Sequence, residues 1–455
     1  MAKHSSAQYM CTNCGSEVLR WQGECPVCHE WNTIVENTIS ESTSTKVSKK
    51  NVSVKKLSEI IHAQENAFTF GFPAVERVFG GGLHESQIIL LAGEPGIGKS
   101  TLLLQIAKNL NKKVVYVSGE ESLSQIAKRA ERISTPSSLR DTSPFVKGKE
   151  IKYPIDSENM NLVDFVSSTE LDTVLSLISS KKYELVIIDS IQTMIDGSSA
   201  GFAGSVNQVR QCTFKITDIA KRHGISVIIV GQITKEGEIA GPKMMEHLVD
   251  TVAYFEGERK SDLRILRSSK NRFGSVGETA LFEMGAQGLI EIKDPGSYFI
   301  ENQQEVSDGV AYSIVSDGSM VYAVEIQALV TQTFFQFPKR LATNYDNNRF
   351  QMLLAVLQKK LNLNLSDKDI YVNIAGGIKV TDTAADLAVC AAIISSLKNK
   401  KITRDVFIGE VGLSGNIQKT SRHEMKLSQA KNLKFKSVYS MANLKNVVEL
   451  GGVFK

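Results

Sequence analysis

The sequence predicts an α/β nucleotide-binding core preceded by a small metal-stabilised module. Three observations carry that expectation. Residues 87–92 form an apolar run short enough for a buried strand, and a glycine-rich turn and an apolar helix start follow directly. Further apolar runs recur at 113–118, 183–190 and 225–231, spaced by stretches of helical character, which is the rhythm of a parallel sheet. Four of the six cysteines fall between positions 11 and 28 as two C-x₂-C pairs.

Composition bounds the alternatives. A chain of 455 residues is long enough for several domains, each with its own core. Its 42% hydrophobic and 22% charged residues are ordinary for a globular protein. A net charge of +4 permits a nucleic-acid partner without arguing for one. No apolar run reaches the roughly eighteen residues that a membrane-spanning helix needs, so no membrane partner is expected. The first residues lack the apolar core of a signal peptide, so the expected location is the cytoplasm. There, clustered cysteines point to metal rather than disulfides.

Taken in order, Cys11 and Cys14 form one knuckle and Cys25 and Cys28 the second, ten residues on. Four thiolates at that spacing wrap one Zn²⁺ tetrahedrally, leaving no open position for catalysis. A module this small owes most of its folding energy to the metal. Residues 36–56 are rich in Ser, Thr and Asn and carry Lys46, Lys49, Lys50, Lys55 and Lys56. They read as a flexible, mildly basic tether, with phosphate contact as the alternative role for the lysines. The expected division is a zinc finger over 1–35, the linker over 36–56, the α/β nucleotide-binding core over 57–293 and a last domain over 294–455.

Residues 71–79 read as a short helix before a glycine turn at 80–82. Then comes Gly93, Glu94, Pro95, Gly96, Ile97, Gly98, Lys99, Ser100 and Thr101, a P-loop between strand and helix. Its glycines let backbone N–H groups converge on phosphate at a helix N-terminus. Lys99 reaches the β- and γ-phosphates of a nucleoside triphosphate, and Ser100 offers its hydroxyl to Mg²⁺. The strand at 113–118 leads to Glu120, where a carboxylate orients the attacking water; a helix-capping acid is the other reading of that position. Residues 133–161 hold three prolines and read as an irregular surface insertion. A helix follows over 170–179, then an apolar strand ending in Asp189, the arrangement that completes a Mg²⁺ shell beside the P-loop serine. The small-residue stretch 197–205 precedes a helix with Gln208, Arg210 and Lys215. Gln232 follows the fourth strand and either senses the γ-phosphate or bonds a neighbouring loop. Lys270, Asn271, Arg272, Phe273 and Gly274 place two cations and an aromatic in a tight loop between strands.

On these motifs the chain resembles the RadA (Sms) family of bacterial DNA repair proteins. The resemblance extends over essentially the whole chain and rests on the four-cysteine finger, the P-loop, the pentapeptide 270–274 and a C-terminal third similar to the proteolytic domain of Lon. It implies a RecA-like ATPase assembling as a homo-hexameric ring on single-stranded and branched DNA. It further implies ATP-driven branch migration, with a recombinase (RecA) and a replicative helicase as partners. By position it carries over phosphate handling to Lys99, Mg²⁺ to Ser100 and Asp189, water activation to Glu120 and sensing to Gln232. Lys270 and Arg272 would serve an adjacent subunit's ATP, or DNA. The sequence departs from the family in Gln232, where His is usual, and in the longer insertion at 133–161. In the C-terminal third, Ala384 stands at the protease's nucleophile position and Glu424 at that of its lysine. Proteolysis needs a serine nucleophile and a lysine base, so the resemblance implies a packing and DNA-contacting domain, with Lys339 and Arg340 on a basic surface or an ordinary solvated loop. Two rival readings remain at this stage: an ATP-dependent protease, disfavoured by Ala384, and a non-motor ATP-binding scaffold.

Overall fold

A computed structural model describes residues 9–11, 16–27, 29–36, 67–134, 161–233, 242–257, 261–300 and 307–454. Most of the tether and of the insertion at 133–161 lie outside the described residues. The chain divides into two compact units, one of residues 1–276 with 282–290, the other of residues 277–281 with 291–455. No described helix is long and apolar enough to cross a membrane.

The N-terminal module is a three-stranded antiparallel sheet of β1 (Tyr9–Cys11), β2 (Glu17–Val18) and β3 (Ile34–Glu36), with β1 in the middle. Its core consists of Cys11, Cys25 and Ile34, backed by Tyr9 and Val18. Both tryptophans, Trp21 and Trp31, are largely exposed and add little to it. So small a core cannot supply the stability of a free-standing fold.

The first unit is built on a nine-stranded sheet. Its strands are β4 (Ile88–Gly93), β5 (Val114–Ser118), β6 (Val163–Ser167), β7 (Leu185–Asp189), β8 (Ser226–Gln232), β9 (Thr251–Glu256), β10 (Leu263–Asn271), β11 (Thr279–Gly285) and β12 (Gly288–Glu291). Their spatial order is β12-β11-β10-β9-β4-β8-β7-β5-β6. From β9 to β6 every pairing is parallel, and β10 turns antiparallel to β9. Alternate residues of the central strands (Ile88 and Leu90, Val115 and Val117, Val186 and Ile188, Val227 and Ile229) share one buried cluster. The helices Leu171–Ser179 and Val206–His223 supply the rest of it from positions three or four apart, such as Val209, Cys212, Ile216 and Ala220. The intervening residues Ile89, Leu91, Val114, Tyr116, Leu185, Ile187, Ile228 and Val230 are equally buried, so the sheet is covered on both faces. β6 was not anticipated. It lies at the sheet edge, only Val163 of it is buried, and its apolar alternation is correspondingly weak.

In-register pairing aligns Gly93 with Gln232 and Ser118 with Asp189. The ends of four parallel strands therefore share one edge of the sheet, where the loops that follow them meet.

The second unit is also α/β. Its strands β13 (Val310–Asp317), β14 (Met320–Gln332), β15 (Arg340–Thr343), β16 (Lys368–Ile374), β17 (Val406–Ile408) and β20 (Val438–Ser440) form a mixed sheet in the order β15-β16-β14-β13-β17-β20. β18 (Glu410–Val411) and β19 (Ile417–Gln418) pair separately. The helix Asn347–Leu361 begins where the Asp346 carboxylate accepts from the Arg349 N–H at 2.7 Å. The helix Asp386–Lys398 is apolar on all sides and buried along nearly its whole length.

Candidate nucleotide site and its surroundings

The P-loop spans the gap between β4 and the helix Lys99–Asn109. Two of its glycines are required by the backbone. A side chain at Gly93 would sit 2.5 Å from the Phe255 carbonyl oxygen on the neighbouring strand. Gly98 has φ +115°, and a Cβ there would meet Met284 at 2.7 Å. Lys99 is buried and donates to the carbonyls of Gly93 (2.8 Å) and Glu94 (2.9 Å). Burial lowers its pKa, opposed by the charges of Asp189 and Glu120. Ser100 Oγ donates to Asp189 Oδ2 at 2.7 Å, so the serine after the P-loop lysine and the acid ending β7 meet across 89 positions of sequence. A hydroxyl and a carboxylate so placed suit a hard divalent cation such as Mg²⁺, which takes oxygen ligands.

Glu120 lies just beyond β5, and its Oε1 accepts from Gln232 Nε2 at 2.6 Å and from Ser190 Oγ. Two donors on one oxygen orient the carboxylate and leave Oε2 for a water. Gln232 is itself tied to Gln192, whose Nε2 donates to its carbonyl at 3.4 Å. The adjacent Glu121 is engaged elsewhere, in a two-bond pair with Arg129 at 2.5 and 2.7 Å. The peptide between Asp189 and Ser190 is cis. Beyond it, Asp196 and the buried Gln208 tie down the glycine-rich stretch: Asp196 accepts from Ser198, Ser199 and Lys215, and Gln208 donates to the carbonyls of Asp196, Ser199 and Gly201. Phe202 projects from that loop, 76% exposed.

Lys270 and Arg272 are not brought to this edge. Lys270 and Asn271 are the last residues of β10 rather than part of a loop, paired with Val252 and Thr251 at the start of β9. The P-loop end of β9 is Phe255, beside Gly93, so the two cations sit about 13 Å of strand away from their own phosphate loop. Lys270 Nζ donates to the carbonyls of Glu246 and, at 2.8 Å, Val249. Burial and the nearby Arg272 lower its pKa. Arg272 reaches Asp250 Oδ1 at 3.2 Å, which Lys221 also contacts at 2.9 Å, while the Arg272 side chain stays 56% exposed. Asn271 and Phe273 lock the turn, the first donating to the Val78 carbonyl at 3.1 Å, the second stacking on His84 at 4.6 Å.

In the N-terminal module, Cys11 and Cys25 are fully buried in one core; the Cys11 N–H donates to the Ser16 carbonyl and the Cys25 N–H to that of Glu30, both at 2.9 Å. Two thiols facing one small core suit a shared metal. Cys14 and Cys28 lie outside the described residues.

In the second unit, Ala384 is buried, and its carbonyl accepts from Ser313 Oγ at 3.1 Å. Glu424 is exposed and pairs with Lys419. The buried cation is Lys426, 2.5 Å from Asp382 Oδ2. Lys339 lies over the Phe335 ring at 4.0 Å, and Arg340 donates to the Leu365 carbonyl at 3.1 Å.

Sequence reasoning passed over Tyr116, Ser190 and Asp250. Each is an ordinary strand or turn residue by pattern, and only the pairing of distant strands gives it a partner.

Comparison with known proteins follows the same lines. A family profile described as an AAA domain matches residues 55–238, and one described as a rubredoxin metal binding domain matches residues 9–36. The chain is 41% identical to a DNA repair protein RadA of Aquifex aeolicus, with 100% of this chain and 96% of that one covered. It is 41% identical to the protein of that name from Campylobacter jejuni, over 96% and 94% of the two chains. With the one from Bacillus subtilis it shares 39% identity, over 98% and 94%.

Proposed function

Since the chain belongs to the RadA family of DNA repair proteins and carries an AAA-type ATPase domain, we propose that it is a DNA-dependent ATPase that drives branch migration of recombination intermediates as a homo-hexameric ring. The observation that best supports this is the separation just described: one edge of the sheet gathers Lys99, Ser100, Asp189, Glu120 and Gln232, while Lys270 and Arg272 stand at the other end of β9. Arg272 there pairs with Asp250 yet keeps its side chain 56% exposed, open to a neighbouring subunit. In a ring, that far end of one subunit would face the next subunit's nucleotide.

In this reading the P-loop N–H groups and Lys99 bind the phosphates, and Ser100 with Asp189 would hold Mg²⁺, which would draw charge from the phosphoryl oxygens. Glu120 orients and deprotonates the attacking water. Gln232, bonded to the same carboxylate, joins that base to the end of β8. DNA partners are single-stranded and branched, met with a recombinase and a replicative helicase. The second unit acts in packing and DNA contact: Ala384 supplies no nucleophile, and Lys426 is bound to Asp382.

ATP turnover should rise when single-stranded DNA is added, and the branch point of a synthetic four-stranded junction should migrate only with hydrolysable ATP. Turnover indifferent to DNA would make the protein a nucleotide-binding scaffold, and degradation of casein would restore the protease.

The cysteines Cys11, Cys14, Cys25 and Cys28 would hold one structural Zn²⁺. Cys25→Ser should release it and unfold the finger while ATP binding by the remote P-loop persists. Metal analysis decides the point, since a variant that keeps a full equivalent of zinc would remove Cys25 from the site.

A further inference from the structure

Asp189 Oδ2 accepts two hydroxyl hydrogens, one from Ser100 at 2.7 Å and one from Tyr116 at 2.5 Å. The second contact follows from strand register. Tyr116 pairs with Ile187, and Asp189 lies two residues further along β7, on the same face, so a ring lying along the sheet brings its hydroxyl to the carboxylate. Tyr116 is 1% exposed, in the middle of β5, with no water to compete for that bond.

We propose that Tyr116 is the positioning residue of the Mg²⁺ site: by occupying Asp189 Oδ2 together with Ser100, it fixes the carboxylate plane and turns Oδ1 toward the hydrated cation. The inference rests on the reading of this edge as an ATP·Mg²⁺ site. A carboxylate with a single donor on one oxygen can still swing about its terminal torsion. Two donors of different origin, one from the P-loop helix and one from the sheet, remove that freedom. Ser100 gains as well. With its hydrogen committed to Asp189, its lone pairs are left for the metal.

Tyr116→Phe removes the hydroxyl and keeps the ring, and the test is the Mg²⁺ dependence of nucleotide binding. A fluorescent ATP analogue would be titrated into wild type and variant across a series of Mg²⁺ concentrations and in EDTA, with thermal melting in parallel. Losing an outer-shell partner of a metal ligand lowers metal affinity by about 10-fold or more, so half-saturating Mg²⁺ should rise by about that factor. Affinity in EDTA and the melting midpoint should stay near wild type. An unchanged Mg²⁺ requirement overturns the proposal. So does an equal loss of affinity with and without Mg²⁺, which would make Tyr116 a packing residue. The wild-type arm separates the two levels: failure there to bind ATP more tightly with Mg²⁺ would reject the ATPase reading itself.

Discussion

Arg272→Ala is expected to lower ATP turnover measured without DNA by about 10³–10⁵, the range in which a cation reaching a neighbouring active site accelerates nucleotide hydrolysis. Arg272 is the better placed of the two cations, since its guanidinium is more than half exposed although it touches Asp250. Lys270 spends its ammonium on two carbonyls of its own chain and braces the strand end from which Arg272 projects. Lys270→Ala should therefore act in the same direction with a smaller effect. The competing account gives both residues to DNA phosphate, in which case their loss weakens DNA binding and its salt dependence but leaves DNA-free hydrolysis intact. Two measurements separate the accounts: DNA-free turnover, and DNA affinity with a non-hydrolysable ATP analogue. Normal turnover with weakened DNA binding would end the trans-acting role. Recovery of activity when Arg272→Ala subunits are mixed with P-loop-dead Lys99→Ala subunits would support it, because mixed rings restore some complete sites.

Glu120→Gln should retain ATP while turnover falls by about 10²–10⁴, the usual contribution of a positioned general base. The amide preserves shape, and its oxygen can still accept from Ser190 and Gln232, so the surrounding bonds survive and the proton acceptor alone is lost. Near-normal turnover would move the base elsewhere. Glu121 is a poor substitute in this geometry, because Arg129 holds both its carboxylate oxygens. Single-turnover hydrolysis with nucleotide pre-bound distinguishes a lost base from lost binding.

That the P-loop, Asp189 and Glu120 share one edge was legible because each closes or follows an apolar run, and strand ends collect at one edge of a parallel sheet. Register was not legible. Nothing local in the sequence says that Ser118 sits beside Asp189, so neither the Tyr116 hydroxyl, 73 positions from its partner, nor Ser190 could be assigned. Asp250 was hidden for a related reason: it precedes an apolar strand like any turn acid, and its cations arrive from a helix end and from the residue just after β10. Lys270 was misplaced in a loop because charged residues at the end of an edge-ward strand resemble loop composition. The edge strand β6 was missed for its lack of buried residues.

Strand β9 carries a mechanical implication. At one end the Phe255 carbonyl is packed against Gly93, where no side chain fits; at the other, Asp250 takes Lys221 and Arg272 on one oxygen and the Ile88 N–H on the other, at 3.1 Å. An extended strand bonded on both sides is stiff along its length, so β9 would act as a strut. In a ring where Arg272 feels the neighbour's γ-phosphate, the push or pull of its loss would arrive at the base of the next phosphate loop after only four residues. Hydrolysis in one subunit would then bear on the nucleotide held by the next.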